Sequence, residues 1–195
     1  MPTAKEESRG YYKIKGAADA FNFDFRNKVV LDIGSSTGGF TKYAKDHGAR
    51  KIIAVEKGTN QMQHPLRQDP AVELHEKTNI FDYETEEHID VILADVSFIS
   101  LTKVLKYAKR HLADEDTTFM VMMKPQFEAF PTELTKGVVK NNKIRRDIIK
   151  RFEAWLKENS FIVLAKHDNA LKGKNGNIER FYLLTIPKRK HIIKA

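Results

Sequence analysis

Residues 28–40, KVVLDIGSSTGGF, constrain what this chain of 195 residues can fold into more than any other stretch does. A short β-branched apolar run leads into a glycine-rich turn and then into a helical pattern. The bare backbone of such a turn can approach a nucleotide-like cofactor. We therefore predict a cofactor site here, with the candidate residues Gly34, Ser35, Ser36, Gly38, Gly39 and Phe40. The alternative is a tight turn that holds no ligand.

Seven segments have the apolar, β-branched composition of strands: 28–33, 51–56, 72–76, 90–96, 117–124, 161–167 and 179–186. Helical patterns lie between most of them, most clearly at 37–47, 101–112 and 142–159. This alternation predicts an α/β fold with a mostly parallel sheet and helices on both faces. The last two strands flank a glycine-rich turn, so we expect them to pair antiparallel. Such a seven-stranded sheet is typical of Rossmann-like class I methyltransferases that use S-adenosylmethionine.

The spacing of GSSTGG also differs from the G-x-G-x-x-G of nicotinamide enzymes. S-adenosylmethionine has no pyrophosphate and presents an amino acid carboxylate and a sulfonium instead, so the departure favours this cofactor. Glu56 closes the second strand about 20 residues after the turn, where a carboxylate can accept hydrogen bonds from ribose hydroxyls. Asn79 follows the third strand and is a candidate for the adenine edge, although Asn is also an ordinary turn residue.

Asp95 and Lys124 are the main candidates for chemistry, because each follows an apolar strand, VILAD and FMVMMK. The carboxyl ends of parallel strands meet at one edge of a sheet, so both side chains should lie beside the glycine turn. Pro125 fixes the backbone directly after the lysine. The alternative is a structural salt bridge at the sheet edge.

Composition favours one soluble globular domain, with 41% hydrophobic and 31% charged residues. The absence of cysteine excludes disulfides, thiolate zinc sites and cysteine nucleophiles. No segment has the apolar length of a signal peptide core or a membrane span, so we expect a cytoplasmic protein.

Positive charge is concentrated toward the C-terminus. The net charge is +8, and residues 136–195 hold 16 lysines or arginines against 5 acidic residues. These clusters would suit the phosphates of a polyanion, or they could form a solvated helix face and tail.

Before the first strand, SRGYYKIKGAADAF places apolar side chains at roughly helical spacing, namely Tyr12, Ile14, Ala17, Ala18 and Phe21. We therefore expect an N-terminal helical segment (1–27) packed on the main domain (28–187), with a basic tail at 188–195.

Several motifs together resemble one known family. SRGYYK, LDIGSSTGGFT, LRQDP, KTNI, DVSFISL, VMMKPQFEA, KGVV and GNIE occur in the order and spacing of the TlyA-type haemolysin and ribosomal RNA methyltransferase family, which is similar to the FtsJ-type ribose methyltransferases. The resemblance covers roughly residues 8–186. DVSFIS and KPQFEA are much more specific than any glycine loop.

The resemblance implies methyl transfer from S-adenosylmethionine to ribose 2′-hydroxyls of ribosomal RNA by a Lys-Asp-Lys-Glu tetrad, with no metal. By motif the tetrad falls on Lys13, Asp95, Lys124 and Glu179, and Asp95 also belongs to the cofactor set. Lys15 is the obvious rival of Lys13.

Members of the family usually carry an N-terminal RNA-binding domain, and this chain begins almost where that domain would end. Either the sequence is truncated or it is a short form in which the basic C-terminal third compensates. Tyr11 and Tyr12 replace smaller residues of the family, and either core packing or stacking on a base would explain them.

Three other functions remain to be weighed. A nonenzymatic RNA-binding or ribosome-assembly factor would not need the intact tetrad. A pore-forming toxin would need a membrane-inserting segment that no predicted helix provides. A nicotinamide oxidoreductase is disfavoured by the glycine spacing and by the lysine after the fifth strand.

Overall fold

Seven strands form one sheet in the computed structural model, which describes residues 7–171, 173 and 176–188. In chain order they are β1 (Val29–Ile33), β2 (Lys51–Val55), β3 (Val72–His75), β4 (Val91–Ala94), β5 (Thr118–Met123), β6 (Ile162–Asp168) and β7 (Arg180–Thr185). Across the sheet the order is β3-β2-β1-β4-β5-β7-β6. The first five strands are parallel, and β7 runs antiparallel to both β5 and β6. The predicted mostly parallel sheet with an antiparallel last pair is confirmed.

Six α-helices cover this sheet within the described residues: α1 (Arg9–Phe21), α2 (Gly39–Asp46), α3 (His64–Arg67), α4 (Leu101–His111), α5 (Pro125–Glu128) and α6 (Asn142–Glu158). The three clearest predicted helices correspond to α2, α4 and α6. Sequence analysis did not predict α3 and α5, because a single helical turn has too few residues to show a period.

The sheet alternates its buried side chains between two apolar layers. One layer packs β-strand residues such as Leu31 and Ile92 against α4 and α6, with Val104 and Phe152 among the contacts. The opposite layer packs Val30 and its neighbours against α1 and α2. Because both faces are covered, the inner strands β1 and β4 are buried along their whole length, and Asp32 is the one polar residue in them.

Helix α1 lies on α2 and buries Ile14, Ala17 and Ala18, as its apolar spacing predicted. Tyr12 is different, because it is 43% exposed. Instead of Tyr12, Tyr11 packs against the apolar layer between the sheet and helices α1 and α2. The reason is helical geometry, since Tyr11 lies three residues before Ile14 and seven before Ala18.

Some predictions fall on residues that the structure does not describe. They include almost all of the basic tail at 188–195 and three positions of the turn between β6 and β7. Within the described ranges, no helix combines the length and apolarity that crossing a bilayer requires.

Candidate active site

The carboxyl-terminal edge of the sheet gathers the predicted residues. Gly34, Glu56, Asp95 and Lys124 each follow directly on a parallel strand. Strand β7 runs the opposite way, so Glu179, just before its first residue, reaches the same edge. The β5–β7 register pairs Met123 with Arg180, and one further step places Glu179 opposite Lys124.

Asp95 and Lys124 form an ion pair at this edge. Lys124 Nζ lies 2.6 Å from Asp95 Oδ1 and donates a hydrogen bond to Ser97 Oγ at 2.8 Å. Lys124 is only 10% exposed, so little water competes with these contacts. The strand ends therefore bring the two side chains together, as their sequence positions predicted.

Lys13 and Glu179 form a second ion pair, in which Lys13 Nζ donates to Glu179 Oε2 at 2.5 Å. Both side chains are buried, with exposures of 11% and 4%. Lys15 instead pairs with Asp19 on the same helix and is 49% exposed. Of the two rival lysines, the structure thus places Lys13 against Glu179 and keeps Lys15 at the surface.

A cavity of about 850 Å³ opens beside the Asp95–Lys124 pair. Five of the nine predicted cofactor residues line it, namely Gly34, Ser36, Glu56, Asn79 and Asp95. Lys57 and Lys103 also line the cavity, together with Gln61, Thr78 and Ser97. Apolar side chains form much of the remaining wall, among them Ile33, Val55, Ile80, Phe81, Val96 and Ile99. The cavity therefore combines an apolar wall with carboxylates at two strand ends.

Glu56 holds the rim of this cavity in place. Its Oε2 accepts a hydrogen bond from the Ser36 N–H at 2.8 Å, and its Oε1 accepts one from the Gly58 N–H at 2.7 Å. An ionised carboxylate has about four acceptor positions, so both oxygens can accept further donors. Asn79 is engaged in a similar way, because its side chain accepts from the Phe81 N–H and caps a single turn of 3₁₀ helix.

The other four predicted cofactor residues lie outside the cavity lining. Ser35 is buried, and a Cβ atom at Gly38 would lie 2.5 Å from Leu66 Cδ2. Phe40 packs in the core with its ring 5.8 Å from that of Phe181. Gly39 faces α1, where a Cβ atom would lie 2.8 Å from the Tyr11 backbone nitrogen. The glycine pair thus serves the packing of helices, a role that the local sequence could not distinguish from contact with a ligand.

Gly34 is constrained both by its backbone conformation and by a close backbone neighbour. Its φ of +81° lies in the region that glycine tolerates best, and a Cβ atom would lie 2.9 Å from the Asp95 carbonyl oxygen. The ends of β1 and β4 can therefore approach each other closely beside the cavity.

Asp32, which sequence analysis did not single out, is fully buried beneath this turn. Its Oδ2 accepts a hydrogen bond from Thr41 Oγ1 at 2.6 Å, whereas Oδ1 accepts none from any described residue. Burial raises the pKa of Asp32 to about 7, and the nearby carboxylates of Asp95 and Glu56 act in the same direction. Its position inside LDIGSS is the signal that could have identified it.

The loops after β4 and β5 are also joined at a second point. Glu128 accepts hydrogen bonds of 2.6 Å from Ser100 Oγ and from the Leu101 N–H, at the start of α4. Phe98 lies in the loop between β4 and α4, where it is 93% exposed and has a φ of +63°. Its ring centroid lies 5.4 Å from that of Phe127. Both aromatic residues lie within the DVSFIS and KPQFEA motifs.

Comparisons with known proteins bear on the family and the fold of the chain. The family model for FtsJ-like methyltransferase matches residues 7–185. The 23S rRNA (cytidine-2′-O)-methyltransferase TlyA of Campylobacter jejuni is 34% identical over 177 residues, which cover 90% of this chain and 69% of that protein. Hemolysin A of Brachyspira hyodysenteriae is 35% identical over 180 residues, covering 90% and 75% of the two chains.

A solved structure from Streptococcus thermophilus, assigned as a hemolysin, has a TM-score of 0.88 and 32% identity. The match covers 98% of this chain and 72% of that one. The resemblance found in the motifs and the class I methyltransferase fold are both confirmed. The chain belongs to the FtsJ-like methyltransferase family.

Proposed function

We propose that this protein transfers a methyl group from S-adenosylmethionine to ribose 2′-hydroxyls of ribosomal RNA. The observation that carries the proposal is the placement of two ion pairs, Asp95–Lys124 and Lys13–Glu179, at the same edge of the sheet. Of these four residues Asp95 also lines the cavity. The TlyA relative, named as a cytidine-2′-O-methyltransferase of 23S rRNA, supports the choice of substrate.

The cavity suits S-adenosylmethionine. This cofactor carries positive charge on its sulfonium and ammonium groups, and Glu56 and Asp95 supply carboxylates at the cavity lining. Glu56 would accept hydrogen bonds from the ribose hydroxyls, Asn79 would meet the adenine edge, and the apolar wall would cover the ring. When bound, the cofactor supplies a methyl group already activated for transfer.

The protein must then orient a weak nucleophile and stabilise the charge that develops on it. An ammonium group has three N–H donors, and Lys124 uses contacts with Asp95 and Ser97. One donor is left to hold the ribose oxygen. The Lys13–Glu179 pair lies on the side of Lys124 away from Asp95 and holds helix α1 against this edge of the sheet.

Lys124 has two roles open to it. As a base it would have to be neutral when the hydroxyl arrives, and it would take the proton. As an ammonium it would stabilise the alkoxide while another group takes the proton. The Lys124→Arg variant separates the two, because a guanidinium keeps the charge and does not lose its proton in proteins. Residual transfer by this variant would support the charged role, and complete loss would support the base.

The test of the proposal is transfer of radiolabelled methyl from S-adenosylmethionine to separated ribosomal subunits from a strain that lacks this gene. We expect label in RNA, and we expect Lys124→Ala to abolish transfer while folding and cofactor binding are retained. Nuclease digestion followed by nucleoside analysis should place the label on ribose. Cofactor binding without transfer to either subunit would contradict the proposal and favour a nonenzymatic RNA-binding factor.

A further inference from the structure

A basic segment adjoins the tetrad, between Lys136 and Arg146. At its start Thr135 and Val138 exchange two backbone hydrogen bonds, and the residues between them, Lys136 and Gly137, have φ values of 50° and 76°. These values are those of a tight turn of type I′, which holds Lys136 at an ordered tip. The segment continues into the first turns of α6.

Three hydrogen bonds attach this segment to the residues just before Glu179. Asn177 is buried, and its side chain accepts from the Val139 N–H at 3.0 Å and donates to the Gly137 carbonyl at 3.3 Å. On α6, Arg145 Nε donates to the Ile178 carbonyl. The basic segment is therefore held at the same edge of the sheet as the Lys13–Glu179 pair.

The positive charges in and beside this segment fall into two groups, those that form an ion pair with a carboxylate and those that do not. Arg145 is paired with Asp168, and Arg151, six residues farther along α6, is paired with Glu133. Four other cations are exposed and form no ion pair with any described residue, namely Lys136, Lys140, Lys143 and Arg146. Residues 136–147 contain five lysines or arginines and one acidic residue, Asp147, so the net charge of the segment is positive.

We propose that these four cations, which we call the basic ridge, bind the phosphate backbone of the RNA that flanks the methylated nucleotide. The inference rests on the proposed function and deepens it. Cations that pair with carboxylates stabilise the fold, whereas exposed cations without partners are available to neutralise phosphates and release counterions. The ridge lies at the substrate edge and its segment is held by partly buried hydrogen bonds, which reduces the entropy lost on binding.

An RNA strand is the occupant that this position favours. A ribose that reaches Lys124 must bring its flanking phosphates to the strand edge, where the ridge lies. Contacts with phosphate fix register without reading bases, so the ridge would contribute affinity rather than sequence preference.

The experiment compares two variants with the same change of charge. In the ridge variant Lys136, Lys140, Lys143 and Arg146 are replaced by Gln. In the control variant Arg50, Lys106, Arg110 and Lys157 are replaced by Gln. The control residues are also exposed and form no ion pair with a described residue, and they lie before β2, on α4 and in the last turn of α6, away from the tetrad edge.

Binding of ribosomal subunits from a strain lacking this gene is measured over a range of salt concentrations, together with methyl transfer and cofactor affinity. We expect the ridge variant to bind the substrate subunit about tenfold or more weakly and to lower the slope of log K against log salt by about 3. Its affinity for S-adenosylmethionine should equal that of the unchanged protein, and the control should keep most of the RNA affinity.

The outcomes are distinguishable. An unchanged affinity and salt slope in the ridge variant, while the parent binds and methylates RNA, would overturn this inference and leave the proposed function intact. An equal loss in the control would also overturn it, because the effect would come from overall charge. A parent protein that neither binds nor methylates RNA would overturn both proposals. Circular dichroism and thermal unfolding of the variants show whether they are folded.

Discussion

Gly39 lies so close to Gly10 that a Cβ atom at position 39 would be 2.9 Å from the Gly10 Cα and 2.6 Å from Ser8 Oγ. Contacts this short do not occur between real side-chain and backbone atoms, so only glycine allows α1 to lie against the start of α2. Since α1 also carries Lys13 to Glu179, one glycine in the turn sets the position of a residue of the proposed tetrad.

We expect Gly39→Ala to push α1 away and to separate Lys13 from Glu179. Overpacking of this kind costs about 1–3 kcal/mol of stability. The rate of methyl transfer should fall more than the affinity for S-adenosylmethionine, because Gly39 lies outside the cavity lining. Kinetics at saturating cofactor, with cofactor affinity measured by calorimetry, check this prediction.

Gly16→Ala is the matched control on the same helix. A Cβ atom at position 16 would have open space, with its first neighbour 3.9 Å away at His167 Nε2. Alanine in a helix interior is favoured over glycine by about 1 kcal/mol, so this variant should be as stable as the parent or more so. Equal losses of activity in both variants would contradict the role of Gly39 in placing Lys13.

The two lysines of α1 should respond very differently to substitution. Lys13→Met leaves Glu179 as a buried carboxylate without its partner, which typically costs about 3–5 kcal/mol. Lys15→Met breaks only an exposed pair within one helix, worth about 0.5 kcal/mol or less. Urea unfolding and methyl transfer should both separate the variants. Retention of activity in Lys13→Met would remove this lysine from the tetrad.

Glu128 should position the loops that carry Asp95 and Lys124. Burial raises the pKa of Glu128, whereas hydrogen bonds from Ser100 and Leu101 oppose that change. In Glu128→Gln the amide oxygen can still accept from the Leu101 N–H and the amide nitrogen can donate to Ser100 Oγ, so the hydrogen bonds to a carboxylate become weaker neutral ones. We expect a lower maximal rate with little change in KM for the cofactor.

The control for Glu128 is Glu86→Gln, an exposed position that makes no hydrogen bond or ion pair with a described residue. It should behave like the parent protein. A rise in the cofactor KM with an unchanged maximal rate in Glu128→Gln would contradict a role in aligning the Asp95–Lys124 pair.

How far the sequence predicts this molecule depends on the range of each interaction. The strands could be predicted because β1 and β4 are buried on both faces, and Asp95 with Lys124 could be predicted because parallel strands end at one edge. These inferences need only local pattern and sheet topology. The Lys13–Glu179 pair joins residues 166 positions apart. Nothing local links them, and only the family resemblance indicated their association.

The glycine turn shows a different limit. Gly34 and Gly39 give the same signal in the sequence, a residue without a side chain where something approaches closely. In Gly34 the approaching group is the backbone after β4 at the cavity, and in Gly39 it is helix α1. The identity of the approaching group depends on the packing of a segment far away in the chain. Glu128 was missed for the same reason, because its partners begin another helix.

Asp32 should make the protein less stable as the pH rises from about 4 to about 7. Its pKa is about 7 in the folded protein and about 3.9 in an unfolded chain, so the folded state holds the proton more tightly. The contribution of Asp32 to stability is therefore fully present below about pH 4 and is lost as the pH rises to about 7. Asp32→Asn removes this loss, since an amide does not ionise and can still accept the hydrogen bond from Thr41.

The free energy of unfolding of Asp32→Asn, relative to the parent, should consequently increase between pH 4 and pH 8, by up to about 4 kcal/mol. Asp69→Asn provides the opposite sign in a lower pH window. A hydrogen bond from Lys45 lowers the pKa of Asp69, so the contribution of Asp69 to stability is lost as the pH falls below about 4. Urea unfolding of the three proteins from about pH 2 to pH 8 measures both slopes. A difference between Asp32→Asn and the parent that does not change with pH would show that Asp32 is not held protonated by its burial.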